Sequence, residues 1–318
     1  MRAITPLVAI VVTAVLLGGV GRAAAQEPAP PKAEATLVNL SRQLALERAG
    51  FSPGLIDGKV GPRTRLAARE FQVARKLKPT GEFDTDTLVA LGADAISPTR
   101  EYTITADDAK DVGGPLPTDW NQKARLDRLR YENFVQLVAE RGMTSLATLE
   151  WLNPGVNLAK LKVGDRVKIP NTVVVEEVKL EAPASLEVEL TAKLVRARNA
   201  AGVTIALFNC SVAKEKSNLP RGDARVIKAV PEPWYKFKPA SWPEIKNVFE
   251  ELDIAPGPRN PVGLCWIGLS LPGYGIHGTP VPEMIGKTGS HGCIRLTNWH
   301  AVRLGAVVQP DTPVKFIR

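Results

Sequence analysis

The sequence predicts a multi-domain α+β protein: a small three-helix unit near the N-terminus, a small α/β module in the middle, and a C-terminal, mostly-β domain of β-sandwich type. Three observations carry this. Apolar residues recur at helical spacing between Leu37 and Leu91, a second helical pattern leads into a strand at Val167–Ile169, and from Val173 onward the apolar runs are short and strand-like. The 318 residues include 26 Gly and 26 Pro, a load that favours turns and β-structure over long helices. A hydrophobic share of 44% is enough to fill more than one core.

Arg2, the apolar stretch Leu7–Val20 and Ala23-Ala24-Ala25 read as a secretory signal peptide over residues 1–25, cleaved after Ala25. An uncleaved anchor is the alternative, because Ala3–Gly21 approaches membrane-spanning length. Either reading puts the body of the chain outside the cytoplasm, in the periplasm or cell envelope, and cleavage leaves no stable span. Residues 26–36, with Pro28, Pro30 and Pro31, read as a linker.

Leu37, Leu40 and Leu44 predict a helix that stops at Gly50. A second is predicted over Thr64–Leu77, with Leu66, Ala67, Phe71 and Ala74 on one face, and a third, capped by Asp84 or Thr85, runs through Leu91. The unit 37–95 resembles the three-helix peptidoglycan-binding domain found beside wall hydrolases. The turn Gly50-Phe51-Ser52-Pro53-Gly54, the loop from Asp57-Gly58 to Gly61 and the pair Phe71-Gln72 carry the likeness. The resemblance implies wall binding; a helical bundle without that role is the alternative.

Residues 96–122 are polar and contain Pro and Gly, and read as a second linker. In residues 123–172, Phe134, Leu137 and Val138 predict one helix, and Leu146, Leu149 and Leu152 a second that stops at Asn153-Pro154-Gly155. This stretch is similar to the later part of a LysM module, through Leu152-Asn153-Pro154, the turn Lys162-Val163-Gly164-Asp165 and the ending Ile169-Pro170-Asn171; the usual opening strand is not read. The likeness implies glycan binding, with a scaffold role equally open. In the third unit, residues 173–318, strands are predicted at Val173–Val175, Leu186–Leu190, Leu194–Val195 and Val203–Phe208. Asn199–Gly202 forms a hairpin turn, and helices are placed at Pro243–Leu252 and Trp299–Gly305.

The formal net charge of +8 is spread along the chain without a dense Lys/Arg run or a nucleic-acid motif. That argues against a nucleic-acid partner and suits an anionic one such as the cell wall. The three Cys are Cys210, Cys265 and Cys293, an odd number that leaves at least one thiol unpaired within an exported chain. Cys210 and Cys265 either pair or are buried as small apolar residues, the second being favoured. The three His, His277, His291 and His300, fall within 24 residues of one Gly-rich stretch that also holds Cys293.

A thiol needs a base or a cation to become a thiolate, and acyl transfer needs backbone N–H groups aimed at the developing oxyanion. Ser290-His291-Gly292-Cys293 meets the second need through the N–H groups of Gly292 and Cys293, and His277, ending a short strand, meets the first. A zinc site built from His277, His291 and Cys293 is the competing reading; it has only these three ligands and no carboxylate fixed in the motif. His300 reads as a packing or capping residue. Trp234, Tyr235 and Trp242 read as core or as a wall of the cleft.

The same stretch, Ile276-His277-Gly278 followed by Ser290 to Asn298 (SHGCIRLTN), closely resembles the signature of L,D-transpeptidases with a YkuD-type catalytic domain, and the likeness covers roughly residues 185–318. It implies Cys293 as nucleophile, His277 as base and the Gly278 carbonyl as the group that orients the imidazole. His291 would line the site beside Gly292; Arg295, Ser290 and Tyr274 would face the substrate; Asn298 would stabilise the loop. Asp311 stands where a Gly is usual. The resemblance further implies a cell-wall transferase with a role in cell shape. Cys293 attacks stem position three, D-alanine leaves, and the amine of a neighbouring stem completes a 3→3 cross-link, with no metal or organic cofactor required. L,D-carboxypeptidase action, attachment of a wall protein and non-catalytic peptidoglycan binding are the alternatives.

Overall fold

The computed structural model describes residues 31–318, apart from residues 177, 243, 288, 290 and 291. The signal-peptide reading therefore lies outside the described residues, as does the start of the first linker. Helix α1 spans Pro31–Arg48, α2 Pro62–Ala74 and α3 Thr85–Leu91. The chain is thus helical from Pro31, inside the stretch read as a linker. A proline costs nothing at a helix start, where its missing N–H has no partner to lose, and Lys32 to Ala35 are strong helix formers. Helix α2 ends at Ala74 rather than Leu77, because Lys76 adopts a left-handed φ of +57°. The Asp84 carboxylate accepts from the Thr87 N–H and caps α3.

The segment read as a second linker is structured. It contributes strand β1 (Thr99–Thr103), α4 (Ala106–Lys110) and α5 (Trp120–Lys123). After α6 (Phe134–Arg141) and α7 (Leu146–Leu152), strand β2 (Arg166–Pro170) pairs antiparallel with β1 from Thr99↔Pro170 to Thr103↔Arg166. An opening strand for the middle unit therefore exists. It escaped the pattern because Thr-Arg-Glu-Tyr-Thr has no apolar alternation and lies in a sheet of only two strands. The three valines that predict a strand form instead the short helix α8 (Val173–Glu176). Its first turn is held by the Thr172 carbonyl, which accepts from the Glu176 N–H, and the buried Thr172 hydroxyl donates to the Arg141 carbonyl.

The C-terminal unit is built on one eight-stranded mixed sheet. Its strands are β3 (Ser185–Glu189), β4 (Leu194–Arg198), β5 (Thr204–Asn209), β6 (Ala224–Pro231), β9 (Cys265–Leu269), β10 (Gly275–His277), β11 (Ile294–Arg295) and β12 (Pro313–Ile317). A separate hairpin pairs β7 (Tyr235–Phe237) with β8 (Leu252–Ile254), and helix α9 spans Asn298–Gly305. The sheet order is β11-β10-β9-β6-β12-β3-β4-β5. Strand β6 joins the two halves: Ala224 and Arg225 pair with β12, and from Val226 onward the strand pairs with β9, with a bulge between Val226 and Lys228. The sheet curls at this point and closes over Val188, Phe208, Val226, Ile267, Ile276 and Leu304 of α9. Asp311 takes a φ of +64°, a conformation Asp tolerates in place of the expected Gly. Among the described residues of the helix predicted over Pro243–Leu252, residues 244–251 form turns and irregular chain and Leu252 opens β8; Val248 packs with Trp242 in a cluster around Phe237.

The units share cores. Leu40, Leu44, Phe51 and Phe71 pack with Leu194 and Leu207 of the large sheet and with Met143 and Leu152 of the middle unit. Arg196 of β4 is nearly buried and binds Glu70 of α2 through both Nε and Nη2, at 3.1 and 2.8 Å, as well as Glu189 at 2.6 Å. Breaking such a buried group leaves an uncompensated charge, so it fixes the docking of the N-terminal helices. Among the described residues, no helix is long and apolar enough to cross a membrane.

Candidate active site

The register of three strands assembles the site. Strand β10 runs antiparallel to β9 and parallel to β11, pairing His277 with Trp266 on one side and with Arg295 on the other. Ile276 and Ile294 are fully buried in the core, so the alternation of side chains sends His277 and Arg295 to the opposite face. Cys293, two residues before Arg295, falls on that same face. The Arg295 guanidinium acts electrostatically on both His277 and Cys293, in keeping with this placement.

The His277 ring is buried, and its Nδ1 lies 2.7 Å from the Gly278 carbonyl oxygen. A carbonyl can only accept, so Nδ1 carries the proton and Nε2 carries the lone pair. The ring stacks on the Trp266 indole, with centroids 5.4 Å apart and planes 18° apart. Any side chain at Gly275 would overlap that indole. Burial lowers the imidazole pKa to about 4, with Arg295 adding to the effect and the carbonyls of Gly278 and Val262 opposing it. Above that pH the ring is a neutral acceptor.

Cys293 is half-buried, and its Sγ lies 3.5 Å from the Gly273 carbonyl oxygen. Burial pushes the thiol up, against a backbone hydrogen bond at Gly275 and the Arg295 cation, which pull it down. The thiol and the imidazole are therefore both uncharged near neutral pH. Cys210 and Cys265 are both free and buried; burial holds the Cys265 thiol at about 11 and pushes Cys210 up as well. The pairing alternative for these two is thereby corrected: both serve as small core residues.

Of the remaining expected site residues, Tyr274 lies over Gly292 and donates its hydroxyl to the Asn218 carbonyl at 3.1 Å. Arg295 donates through Nη2 to the Gly289 carbonyl at 2.5 Å. Ser290 and His291 lie outside the described residues. His300 is apart from this group: its Nδ1 meets Thr297 Oγ1 at 2.8 Å and its Nε2 meets Glu47 of α1 at 2.8 Å. The role of one contributor, Trp266, went unread in the sequence, whereas Tyr235 reads there as core or cleft wall. Trp266 forms the platform under His277, a role signalled by the glycines at 268 and 275 that clear space for an indole. Tyr235 lies close enough to Cys293 to feel its charge, and accepts a 3.0 Å hydrogen bond from the Trp242 indole. Trp120 of α5 stacks on Phe237 at 4.4 Å and backs this aromatic wall.

Comparison with known proteins agrees with this architecture. Residues 183–316 match the YkuD family, described as the L,D-transpeptidase catalytic domain, and residues 42–91 match a peptidoglycan binding domain family. The chain is 26% identical over 183 residues to a Bacillus licheniformis protein named as the L,D-transpeptidase YkuD, a match covering 58% of this chain and 92% of that one. It is 33% identical over 122 residues to a Fuscovulum blasticum protein named as an L,D-transpeptidase in the ATP synthase subunits region, covering 37% and 61%. Among solved structures it is similar to an L,D-transpeptidase from Mycobacterium smegmatis, with a TM-score of 0.34 and 18% identity over 42% of this chain and 58% of that one. By these family models the C-terminal unit matches the L,D-transpeptidase catalytic domain, which belongs to an acyltransferase family, and it follows a helical unit that matches a peptidoglycan-binding domain.

Proposed function

We propose that this chain is an exported L,D-transpeptidase of the cell envelope that forms 3→3 cross-links through a Cys293 thioester. The observation that carries the reading is the common face of β10 and β11, where Cys293 and His277 stand with Nδ1 of the ring already committed to the Gly278 carbonyl. Nε2 takes the thiol proton as Sγ attacks the carbonyl of the diamino acid at stem position three. The backbone N–H groups of Gly292 and Cys293 receive the oxyanion. Collapse of the tetrahedral intermediate breaks the amide to D-alanine, which leaves with the proton from His277. The side-chain amine of a second stem then attacks the thioester, gives its proton back to His277 and releases Sγ. Arg295 and Tyr274 line the substrate side, and the resemblance assigns Ser290 and His291 the same role. The positive net charge suits a carboxylate-rich polymer, and the N-terminal helices hold the enzyme to it.

Incubation of the purified chain with tetrapeptide-stem muropeptides, read by mass spectrometry, tests this. The expected products are free D-alanine and a dimer joined between two third residues, both abolished by Cys293→Ala. Release of D-alanine with water as the only acceptor would mark a carboxypeptidase, and a wall-linked protein an attachment enzyme. Turnover by Cys293→Ala would refute the nucleophile assignment.

A further inference from the structure

The middle unit is stitched into the catalytic domain. Arg128 pairs with Glu232 through both Nη atoms, at 2.6 and 3.3 Å. The Leu129 N–H donates to the Pro256 carbonyl at 2.8 Å, and the Arg259 N–H donates to the Leu129 carbonyl at 3.0 Å. Gly257 lies so close to the Leu129 backbone, at a φ of +138°, that no side chain fits there. Such close, directional contacts are more than a tether between binding module and enzyme requires.

One contact leads to the base. Glu140 of α6 accepts from Asn298 Nδ2 at 3.4 Å and from the Tyr131 hydroxyl. Asn298 is fully buried at the start of α9, and the same Nδ2 donates to the Pro258 carbonyl at 3.1 Å. Its Oδ1 accepts from the Leu264 N–H at 3.2 Å. That oxygen also fills a slot between Gly263 and Gly278, where a Cβ on either glycine would overlap it. Gly263 adopts a φ of +65°, and Gly278 is the residue whose carbonyl holds His277 Nδ1. A carboxylate of the middle unit therefore fixes an amide whose other end is wedged against the residue that orients the imidazole.

We infer that Glu140 is a positioning residue for the proposed base, so that the middle unit completes the catalytic site of the domain it precedes. The inference rests on the cysteine–histidine reading above. It differs from a glycan-binding role in placing the unit's main contribution on the Glu140–Asn298–Gly278–His277 path. A cleft of about 870 Å3 between α6, α7 and residues 280–283 is also lined by Glu140, which leaves the carboxylate reachable from outside. Burial lifts its pKa to about 7, against hydrogen bonds from Asn298 and Tyr131 and the charges of Arg141 and Arg259, so a neutral amide is a fair substitute for it near neutral pH.

The test uses the full chain with two readouts: muropeptide turnover, and the rate of Cys293 alkylation by iodoacetamide, which requires no wall substrate. Glu140→Ala is expected to lower kcat roughly tenfold with KM within about twofold, and to slow alkylation by a similar factor, as a misplaced base would. Glu140→Gln keeps an acceptor for Asn298 and should restore both rates to within about threefold of the native chain. Glu140→Asp keeps the charge without the reach and should reproduce the loss; if Glu140→Ala does not fold, the Asp and Gln pair carries the test. Native kcat and native alkylation in Glu140→Ala or Glu140→Asp, or a Gln variant as impaired as the Asp variant, would overturn the inference. Absence of turnover by the native chain would refute the proposed function instead, and the alkylation arm would still decide the role of Glu140.

Discussion

His277 and His300 are both buried, both in the C-terminal domain, and only 23 positions apart, yet the fold uses them differently. His277 ends a strand at the rim of the sheet. Its Nδ1 is bound by a backbone carbonyl, which fixes the tautomer and leaves Nε2 as an acceptor. His300 lies in α9 under the N-terminal helices, and both of its nitrogens are engaged, by Thr297 and by the Glu47 carboxylate. Burial alone would push the Glu47 carboxyl up, but His300 and Arg303 hold it below its ordinary range. Burial with a neutral partner leaves an acceptor nitrogen, as the proposed base needs; burial with an anionic partner makes a staple between domains. The decisive difference is the chemistry of the partner: Gly278 is the next residue in the chain, whereas Glu47 comes from its far end.

The largest expected effect separates the two. His277→Ala should reduce kcat on muropeptides by about a thousandfold while leaving the unfolding midpoint little changed, as expected when a general base is removed. Loss of fold with activity retained in the folded fraction would reverse the assignment. The complementary change, His300→Ala, should cost about 3 kcal/mol in a urea melt because it takes from the buried Glu47 its shortest partner and leaves Arg303 to hold the charge, with kcat in the folded protein within about threefold of native.

How much of this contrast was legible in the sequence follows from the same physics. The three-helix unit, the strands from β3 to β5 and the Cys293–His277 signature were readable because apolar spacing and glycine-framed motifs are local. Strand β1 and Trp120 were not, since a polar two-stranded sheet and a lone aromatic take their meaning from partners far along the chain. Helix α8 was misread because valine's preference for strands yields when a helical turn is capped by a neighbour. The role of Asn298 was legible only as a loop stabiliser; its link to Glu140 spans 158 positions and needed the structure.

A pH profile sharpens the comparison further. With the folded pKa of His277 lowered from 6.5 to about 4, the acid limb of kcat/KM should fall near pH 4 to 5 rather than near 6.5. Unfolded chains bind this proton from about pH 6.5 downward while the folded chain does not, so the ring's contribution to stability is complete above pH 6.5 and is lost as pH falls toward 4. An acid limb centred at 6.5 would mean that the ring is more solvated than its stacking on Trp266 implies. Gly263→Ala should lower kcat roughly tenfold, since the new methyl displaces the Asn298 amide and strains a left-handed φ. The smallest effect is expected at the domain seam: Arg63→Ala removes the donor to the Ile285 carbonyl and should cost about 1 kcal/mol in a urea melt, without altering kcat by more than about twofold.

The most direct measurement is the intact mass of the protein after brief exposure to a tetrapeptide-stem muropeptide. A single acyl adduct lacking D-alanine is predicted, released by hydroxylamine, mapped to Cys293, formed at the native rate in the folded His300→Ala protein and far more slowly in His277→Ala. An adduct that persists in Cys293→Ala, or that forms at the native rate in His277→Ala, would contradict the assignment of this thiol and this imidazole as the reacting pair.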